Sequence, residues 1–157
     1  MKRIALIIVV AVFGTISSNA QITKVDQEVF GMDCAPCAYG LERGLKKMDG
    51  LEKVRVSLND GKAYLELSEN NSLSLKQIQE EVKKNGFSAK KAEVVIEGKL
   101  IKKNNNFQLH TETETYSLSG DLVSELKPGK IKLKGIVQDE EDDDLPSHWK
   151  INIIRIF

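Results

Sequence analysis

The two cysteines of the chain, Cys34 and Cys37, lie three residues apart where an extended apolar segment gives way to a helical one. A thiolate binds soft metal ions strongly, and two thiolates at this spacing can hold one ion between them. We expect Cys37 to open the helix, so that free backbone N–H groups and the positive end of the helix dipole favour its ionised form. The spacing therefore predicts a two-thiolate site for a soft metal ion.

The same cysteine pair is also typical of a second chemistry. In thioredoxin-like oxidoreductases a thiolate at a helix start attacks disulfides, and Pro36 stands before the second cysteine as in their motif. The rest of the chain fits that class less well, because no aromatic residue stands directly before Cys34 and the next proline after Pro36 is Pro128. Thiol–disulfide exchange is therefore the alternative to metal binding. In an oxidising compartment the two cysteines are expected to join to each other when metal is absent.

Residues 1–20 predict a secretory signal. Lys2 and Arg3 precede an apolar run over residues 4–13, and small residues follow up to Ala20. The run is shorter than the roughly 17–25 residues that cross a bilayer, so we expect no stable membrane span and a periplasmic or secreted protein. Without this segment the chain keeps 21 basic and 23 acidic residues, a net charge of −2, which does not attract nucleic acid.

The hydrophobic pattern of the first half alternates between periods of two and of about 3.6 residues. Apolar residues at helical spacing, visible from Ala38 onward, predict that the helix opened by Cys37 ends near Gly50. Ser74 with Gln77 predicts a capped second helix that closes at Asn85. The remaining segments read as strands, at residues 23–30, 54–58, 63–67 and 87–95. This order, βαββαβ, predicts a four-stranded antiparallel sheet with both helices on one face.

Residues 29–37, the strand that contains Val54 and Val56, Gly61-Lys62-Ala63 and Asn85-Gly86-Phe87 together resemble the heavy-metal-associated domain. That domain occurs in copper chaperones, in periplasmic mercury-binding proteins and in the amino-terminal modules of metal-transporting P-type ATPases. The resemblance covers residues 21–95 and implies a ferredoxin-like fold with Cys34 and Cys37 as metal ligands. It also implies that Met32 is a buried packing residue and that Phe87 shields the metal loop.

Charge at the site bears on the choice of metal. Two thiolates around Cu(I) leave a charge of −1 and need no further ligand, whereas Zn(II), Cd(II), Pb(II) or Hg(II) would leave zero. The carboxylate of Asp33, next to Cys34, could occupy an open position on a divalent ion, and Gly-Met-Asp-Cys-x-x-Cys resembles the sequence of zinc, cadmium and lead exporters. Asp33 could equally be a loop or helix-capping residue. Soft ligands favour Cu(I), with the divalent soft ions as alternatives.

The second half, residues 96–157, reads as short alternating strands with no linker. Strands are predicted at residues 94–102, 106–110, 115–118, 130–137 and 150–157, with a short helix over residues 122–126 that Asp121 caps. Five strands with a helix between the third and fourth loosely resemble a small OB-like barrel. The predicted fold class is therefore α+β, with a ferredoxin-like domain at 21–95 and a small all-β domain at 96–157.

Other polar groups in the second half do not predict a site. The acidic run over residues 139–144 reads as a solvated loop, because like charges repel. His110 and His148 have no partner at metal-ligand spacing. No constellation of acid, base and nucleophile appears beyond the cysteines, so we do not expect an enzyme. The predicted function is an exported soft-metal carrier with a protein partner for transfer; a thiol–disulfide oxidoreductase and a metal-regulated adaptor are the alternatives.

Overall fold

A computed structural model describes residues 20–138 and 148–157 of the chain, in which two α-helices lie beside eight strands. The predicted signal up to residue 19 and the acidic run over residues 139–144 lie outside the described residues. Within the described ranges, no helix is long and apolar enough to cross a membrane.

The first half has the predicted βαββαβ order. Its strands pair antiparallel in the order β2-β3-β1-β4, which is the ferredoxin-like arrangement. The elements are β1 (Gln21–Phe30), α1 (Ala35–Leu45), β2 (Leu51–Ser57), β3 (Lys62–Leu67), α2 (Leu75–Lys84) and β4 (Ser88–Lys103).

Both helices contribute buried stripes to one hydrophobic core. Leu41 and Leu45 of α1 and Ile78 of α2 are fully buried, together with alternate residues of the strands. The predicted capping box of α2 is confirmed, since Ser74 Oγ accepts the Gln77 N–H at 3.1 Å and the Gln77 side chain accepts the Ser74 N–H at 2.9 Å. A cap of this kind satisfies backbone donors that have no partner inside the helix.

Strand β4 is shared by the two halves of the chain. It pairs with β1 through residues 88–97 and, along its opposite edge, with a later strand through residues 92–100. Its buried residues alternate without a break at Ala92, Val94, Ile96, Gly98 and Leu100. The predicted division between residues 95 and 96 therefore lies inside one continuous strand.

The second half forms a closed ring of five strands. After β4 come β5 (Asn106–His110), β6 (Thr115–Ser119), a short 3-10 helix (Asp121–Glu125), β7 (Gly129–Val137) and β8 (Trp149–Ile156). The ring order is β4-β5-β6-β8-β7 and back to β4, with β6 and β8 parallel and the other pairs antiparallel. The predicted strands and the position of the helix are confirmed. The predicted Asp121 cap is wrong, because Gly120 precedes the helix and makes no side-chain capping bond.

Close approach of two ring strands requires glycine at Gly135. A Cβ atom there would lie 2.3 Å from Ile151 Cγ2 and 2.7 Å from the Asn152 carbonyl oxygen. The β7–β8 register also shifts at this point. A residue without a side chain therefore lets β8 pack tightly where the ring bends.

The carboxylate of Glu114 joins the two halves. Its Oε2 accepts the Leu75 N–H at 2.8 Å and the Tyr116 hydroxyl at 2.6 Å, and its Oε1 accepts the Lys76 N–H at 3.1 Å and the Trp149 indole N–H at 2.9 Å. Two donors belong to the first turn of α2 and two to the ring. Burial, and then the neighbouring Glu114 charge, raises the pKa of Tyr116 well above its ordinary value, so its hydroxyl stays protonated and donates to Glu114.

Candidate metal centre

The loop between β1 and α1 is held by one buried side chain and one glycine. Gly31 has φ +88°, a left-handed conformation that favours glycine. Met32 is 5% exposed and belongs to the core, so its predicted role as a packing residue is confirmed. With Met32 anchored, the next residues turn outward and Asp33 is exposed.

Cys34, and not Cys37, stands at the start of the helix. Cys34 has extended backbone angles (φ −140°, ψ 150°) and is the N-cap of α1, which begins at Ala35. Its sulfur accepts the Cys37 backbone N–H at 3.1 Å, and Cys37 lies inside the first turn. The prediction that Cys37 opens the helix is therefore wrong by two residues, and the orphan N–H groups of the helix start favour negative charge on Cys34 Sγ.

The two cysteines are joined by a disulfide. Their Cα atoms are 5.0 Å apart, and both side chains are partly exposed. Reduction of this bond would leave two sulfur atoms side by side, both partly exposed, with Cys37 packed against the core. Two neighbouring sulfur donors suit a thiophilic ion.

The sequence profile of the heavy-metal-associated domain matches residues 28–88, which include the whole of this loop and both helices. Residues 28–88 are a heavy-metal-associated domain. The chain is 32% identical over 146 residues to the copper-exporting P-type ATPase of Bacillus subtilis (strain 168), covering 75% of this chain and 18% of that protein. It is 39% identical over 62 residues to a copper-transporting ATPase of Helicobacter pylori (strain ATCC 700392 / 26695), covering 40% of this chain and 8% of that protein. The chain thus spans less than a fifth of either relative.

Similar solved structures include a copper binding domain from HMA7, a P-type ATPase. It is 30% identical, with a TM-score of 0.39, and the match covers 47% of this chain and 92% of that domain. The yeast copper transporter domain Ccc2a, solved in the apo and Cu(I) load states, is 24% identical, with a TM-score of 0.40 and coverage of 43% and 90%.

Asp33 and Phe87 are the two other residues that the sequence predicted at the metal loop; Asp33 is exposed and Phe87 is partly buried. Among the residues that the structure describes, no group of three or more His, Cys, Asp or Glu side chains could hold a metal ion, so Asp33 does not complete a ligand set in this disulfide form. Phe87 is partly buried against the core of the heavy-metal-associated domain. Ligation by Asp33 and shielding by Phe87 stay predictions.

The outer face of α1 carries a mixture of charges. Lys46 and Glu42 form an ion pair, and the hydrogen bond from Lys46, followed by that from the Val56 N–H, lowers the pKa of Glu42. The first turn of α1 contains no acidic residue, so no carboxylate on the helix opposes its positive end next to Cys34. Arg43 lies 5.9 Å from the centre of the Tyr39 ring.

Sequence reasoning missed two exposed aromatic residues close to the cysteines. Phe30, the last residue of β1, is 69% exposed, and Tyr39, in the second turn of α1, is 64% exposed. The hydrophobic patterns of β1 and α1 gave no reason to expect that these two side chains would be exposed. The available signal was their nearness in sequence to the cysteine loop, with Phe30 four residues before Cys34 and Tyr39 two residues after Cys37.

Proposed function

We propose that the reduced chain binds one soft metal ion between Cys34 and Cys37, with Cu(I) favoured, and passes it to a protein partner. The observation that carries this proposal is the adjacency of the two sulfur atoms at the start of α1 in a heavy-metal-associated domain. The Cys37 N–H that Cys34 Sγ accepts would stabilise a thiolate at the same place.

The choice of Cu(I) rests on charge and on the relatives. Two thiolates satisfy Cu(I) without a third ligand, and no third ligand of the usual kinds is gathered among the described residues. Both ATPase relatives are named for copper. Zn(II), Cd(II), Pb(II) and Hg(II) are the alternative ions.

An exposed site with two ligands suits transfer. An incoming thiolate from a partner can add to the ion before either cysteine leaves, so that the ion is never released to solvent. Arg43 on α1 and Lys47, two residues after its end, would face an acidic partner. The exposed rings of Phe30 and Tyr39 would supply apolar contact beside the loop.

The proposal predicts that metal binding depends on reduction. An anaerobic titration with Cu(I) against a chromophoric chelator is expected to give one ion per chain for protein reduced by a dithiol. The same protein with its disulfide intact is expected to bind none at this site. Equal stoichiometry for the two forms, or unchanged stoichiometry in a variant with both cysteines replaced by serine, would assign the ion elsewhere.

Asp33→Ala tests the third ligand. If the Asp33 carboxylate completes a site for a divalent ion, the variant should bind Zn(II) about tenfold more weakly, which is the lower end of the loss seen when a residue that supports a metal ligand is removed. Its affinity for Cu(I) should change little. Competition titrations with both ions measure this, and Asp49→Ala, an exposed aspartate beyond α1, is the matched control. Equal losses for both ions would make Asp33 a loop residue.

The disulfide favours a second candidate function, thiol–disulfide exchange. In that reaction the thiols of a substrate would give up two electrons and two protons to form a disulfide, while Cys34 and Cys37 become thiols. Insulin reduction by a dithiol, with and without the protein, separates the two functions. Rapid turnover in the absence of metal would favour the oxidoreductase.

We also propose that the protein is exported to the periplasm or secreted, and that residues 96–157 form an OB-like barrel. We further propose that it is a binding protein and not an enzyme. The location is supported by the basic and apolar composition of residues 1–20, and the barrel by the closed five-stranded ring. A metal-regulated adaptor, in which the barrel binds a protein, would show metal-dependent capture of a partner by the full chain.

A further inference from the structure

Gln21, the first residue of β1, has a buried amide oxygen that forms no hydrogen bond with any described residue. Its backbone belongs to the sheet, where it lies opposite Glu97 of β4. A buried polar atom without a partner destabilises the folded state. Gln21 is at the opposite end of β1 from the cysteine loop, so the metal site gives this side chain no role.

The peptide bond between Ala20 and Gln21 is also where the predicted leader ends. In the folded chain the Ala20 carbonyl accepts the Glu112 N–H at 2.9 Å, and Gln21 is paired with β4. Both sides of the bond are therefore held by the fold, so a leader peptidase would have to cleave it before the chain folds. Cleavage there gives a mature chain that begins at Gln21 and has a free α-amino group.

Cleavage would place that amino group beside lysines. The adjoining residue, Ala20, lines a cavity of about 290 Å³, and the charged lining residues in the described part of the chain are Lys99 and Lys130. The carboxylate of Glu97, opposite Gln21, already pairs with Lys130. An ammonium group at this position meets like charge, which raises its free energy. A mature terminus without charge would suit this end of β1 better.

We propose that Gln21 is converted to pyroglutamate, which becomes the first residue of the mature protein and stabilises the start of β1. The inference rests on the proposed export and on removal of residues 1–20. The free α-amino nitrogen attacks the side-chain carbonyl carbon, Cδ, and the new N–Cδ bond closes a lactam ring. The Cδ–Nε2 bond breaks, and Nε2 leaves as ammonia with one proton from the attacking nitrogen. Because the reaction is intramolecular, it needs no oxidant, reductant or second substrate.

The lactam changes both unfavourable features of Gln21. It carries no ammonium charge, and its carbonyl is drawn back to the residue's own nitrogen and away from the buried position of Oε1. It keeps one backbone N–H, which can still donate within the sheet. It also lacks the free amine that aminopeptidases require, so the exported chain would resist degradation from its first residue.

Mass spectrometry tests the modification on the full chain, expressed with residues 1–20 and recovered from the periplasm of a Gram-negative host. We expect the mature protein to begin at Gln21, to be lighter than the open form by one molecule of ammonia, and to give no signal in Edman degradation. Gln21→Ser is the matched control, which should be cleaved at the same bond and should release serine in the first cycle. Release of glutamine from the parent chain would overturn the proposal and leave export standing. A chain that retains residues 1–20 would overturn both.

Urea unfolding tests the stabilising effect. Mature protein with an open Gln21 can be released in vitro from a tagged precursor by a site-specific protease, and glutaminyl cyclase then converts one half of the sample. The cyclised half should unfold at a higher urea concentration than the open half. The same enzyme treatment should leave the unfolding of Gln21→Ser unchanged. Equal midpoints for the open and cyclised forms would overturn the proposed stabilisation of the start of β1.

Discussion

Replacement of Cys34 by serine is expected to lower the affinity of the reduced chain for Cu(I) at least about 60-fold. Four-ligand zinc sites bind with about 10–16 kcal/mol, or about 2.5–4 kcal/mol for each ligand, and each 1.4 kcal/mol is a factor of ten. A site with two ligands that loses one of them should lose at least this much binding free energy. Cys37→Ser is expected to have an effect of the same size, because both sulfur atoms are proposed to hold the ion.

The two serine variants differ in what they do to the fold, and this separates ligation from folding. Cys34 is the N-cap of α1, a position that serine favours, so Cys34→Ser should keep the helix and the stability of the reduced parent chain. Cys37 packs against the core, so its replacement should cost some stability as well as affinity.

Met32→Leu is the control for the third sulfur atom of the loop. Because Met32 is buried, its thioether should not be a ligand, and leucine of similar volume should leave Cu(I) affinity within about threefold. Chelator competition under anaerobic conditions measures all three variants. If Met32→Leu lost much of its Cu(I) affinity and Cys34→Ser lost little, Met32 and not Cys34 would be the ligand.

The metal loop was predictable from sequence because everything that shapes it is local. Gly31 turns the chain, Met32 anchors it and the cysteines follow within five residues. The helix start was placed two residues late because the apolar period becomes visible only from Ala38. Pro36 was the overlooked signal, since proline is tolerated in the first turn of a helix, where its missing N–H would have no partner.

Partners distant in sequence could not be predicted in the same way. Alternation of buried and exposed residues shows that a segment is a strand, but it does not show which strand it pairs with. The predicted division between residues 95 and 96 therefore treated the two parts of β4 as separate strands. Glu114 gave no sequence signal at all. Its partners Leu75, Lys76 and Trp149 are 39, 38 and 35 residues away along the chain.

Glu114→Gln is expected to lower the free energy of unfolding by about 2–4 kcal/mol. The carboxylate accepts four hydrogen bonds and donates none, so an amide would turn one of its two oxygens into a donor facing two other donors. Each donor left without an acceptor costs about 1–3 kcal/mol when buried. Glu114→Ala removes the acceptor for all four donors and should cost about 3–5 kcal/mol.

Urea unfolding followed by two signals checks this prediction. Trp149 is the only tryptophan of the chain and reports the ring by fluorescence, whereas far-ultraviolet circular dichroism reports both helices. Because β4 belongs to both halves and Glu114 bonds α2 to the ring, the two signals should shift to lower urea together.

Glu112→Gln is the matched control for Glu114, two residues away and exposed, and should change the free energy of unfolding by less than about 0.5 kcal/mol. If Glu114→Gln were as stable as this control, the carboxylate would not be satisfying the helix and the ring at once. If the fluorescence midpoint moved while the dichroism midpoint stayed, the ring would unfold without the metal-binding half. The shared strand makes coincident midpoints the expected result, because β1 and β7 could not separate without unpairing β4 from one of them.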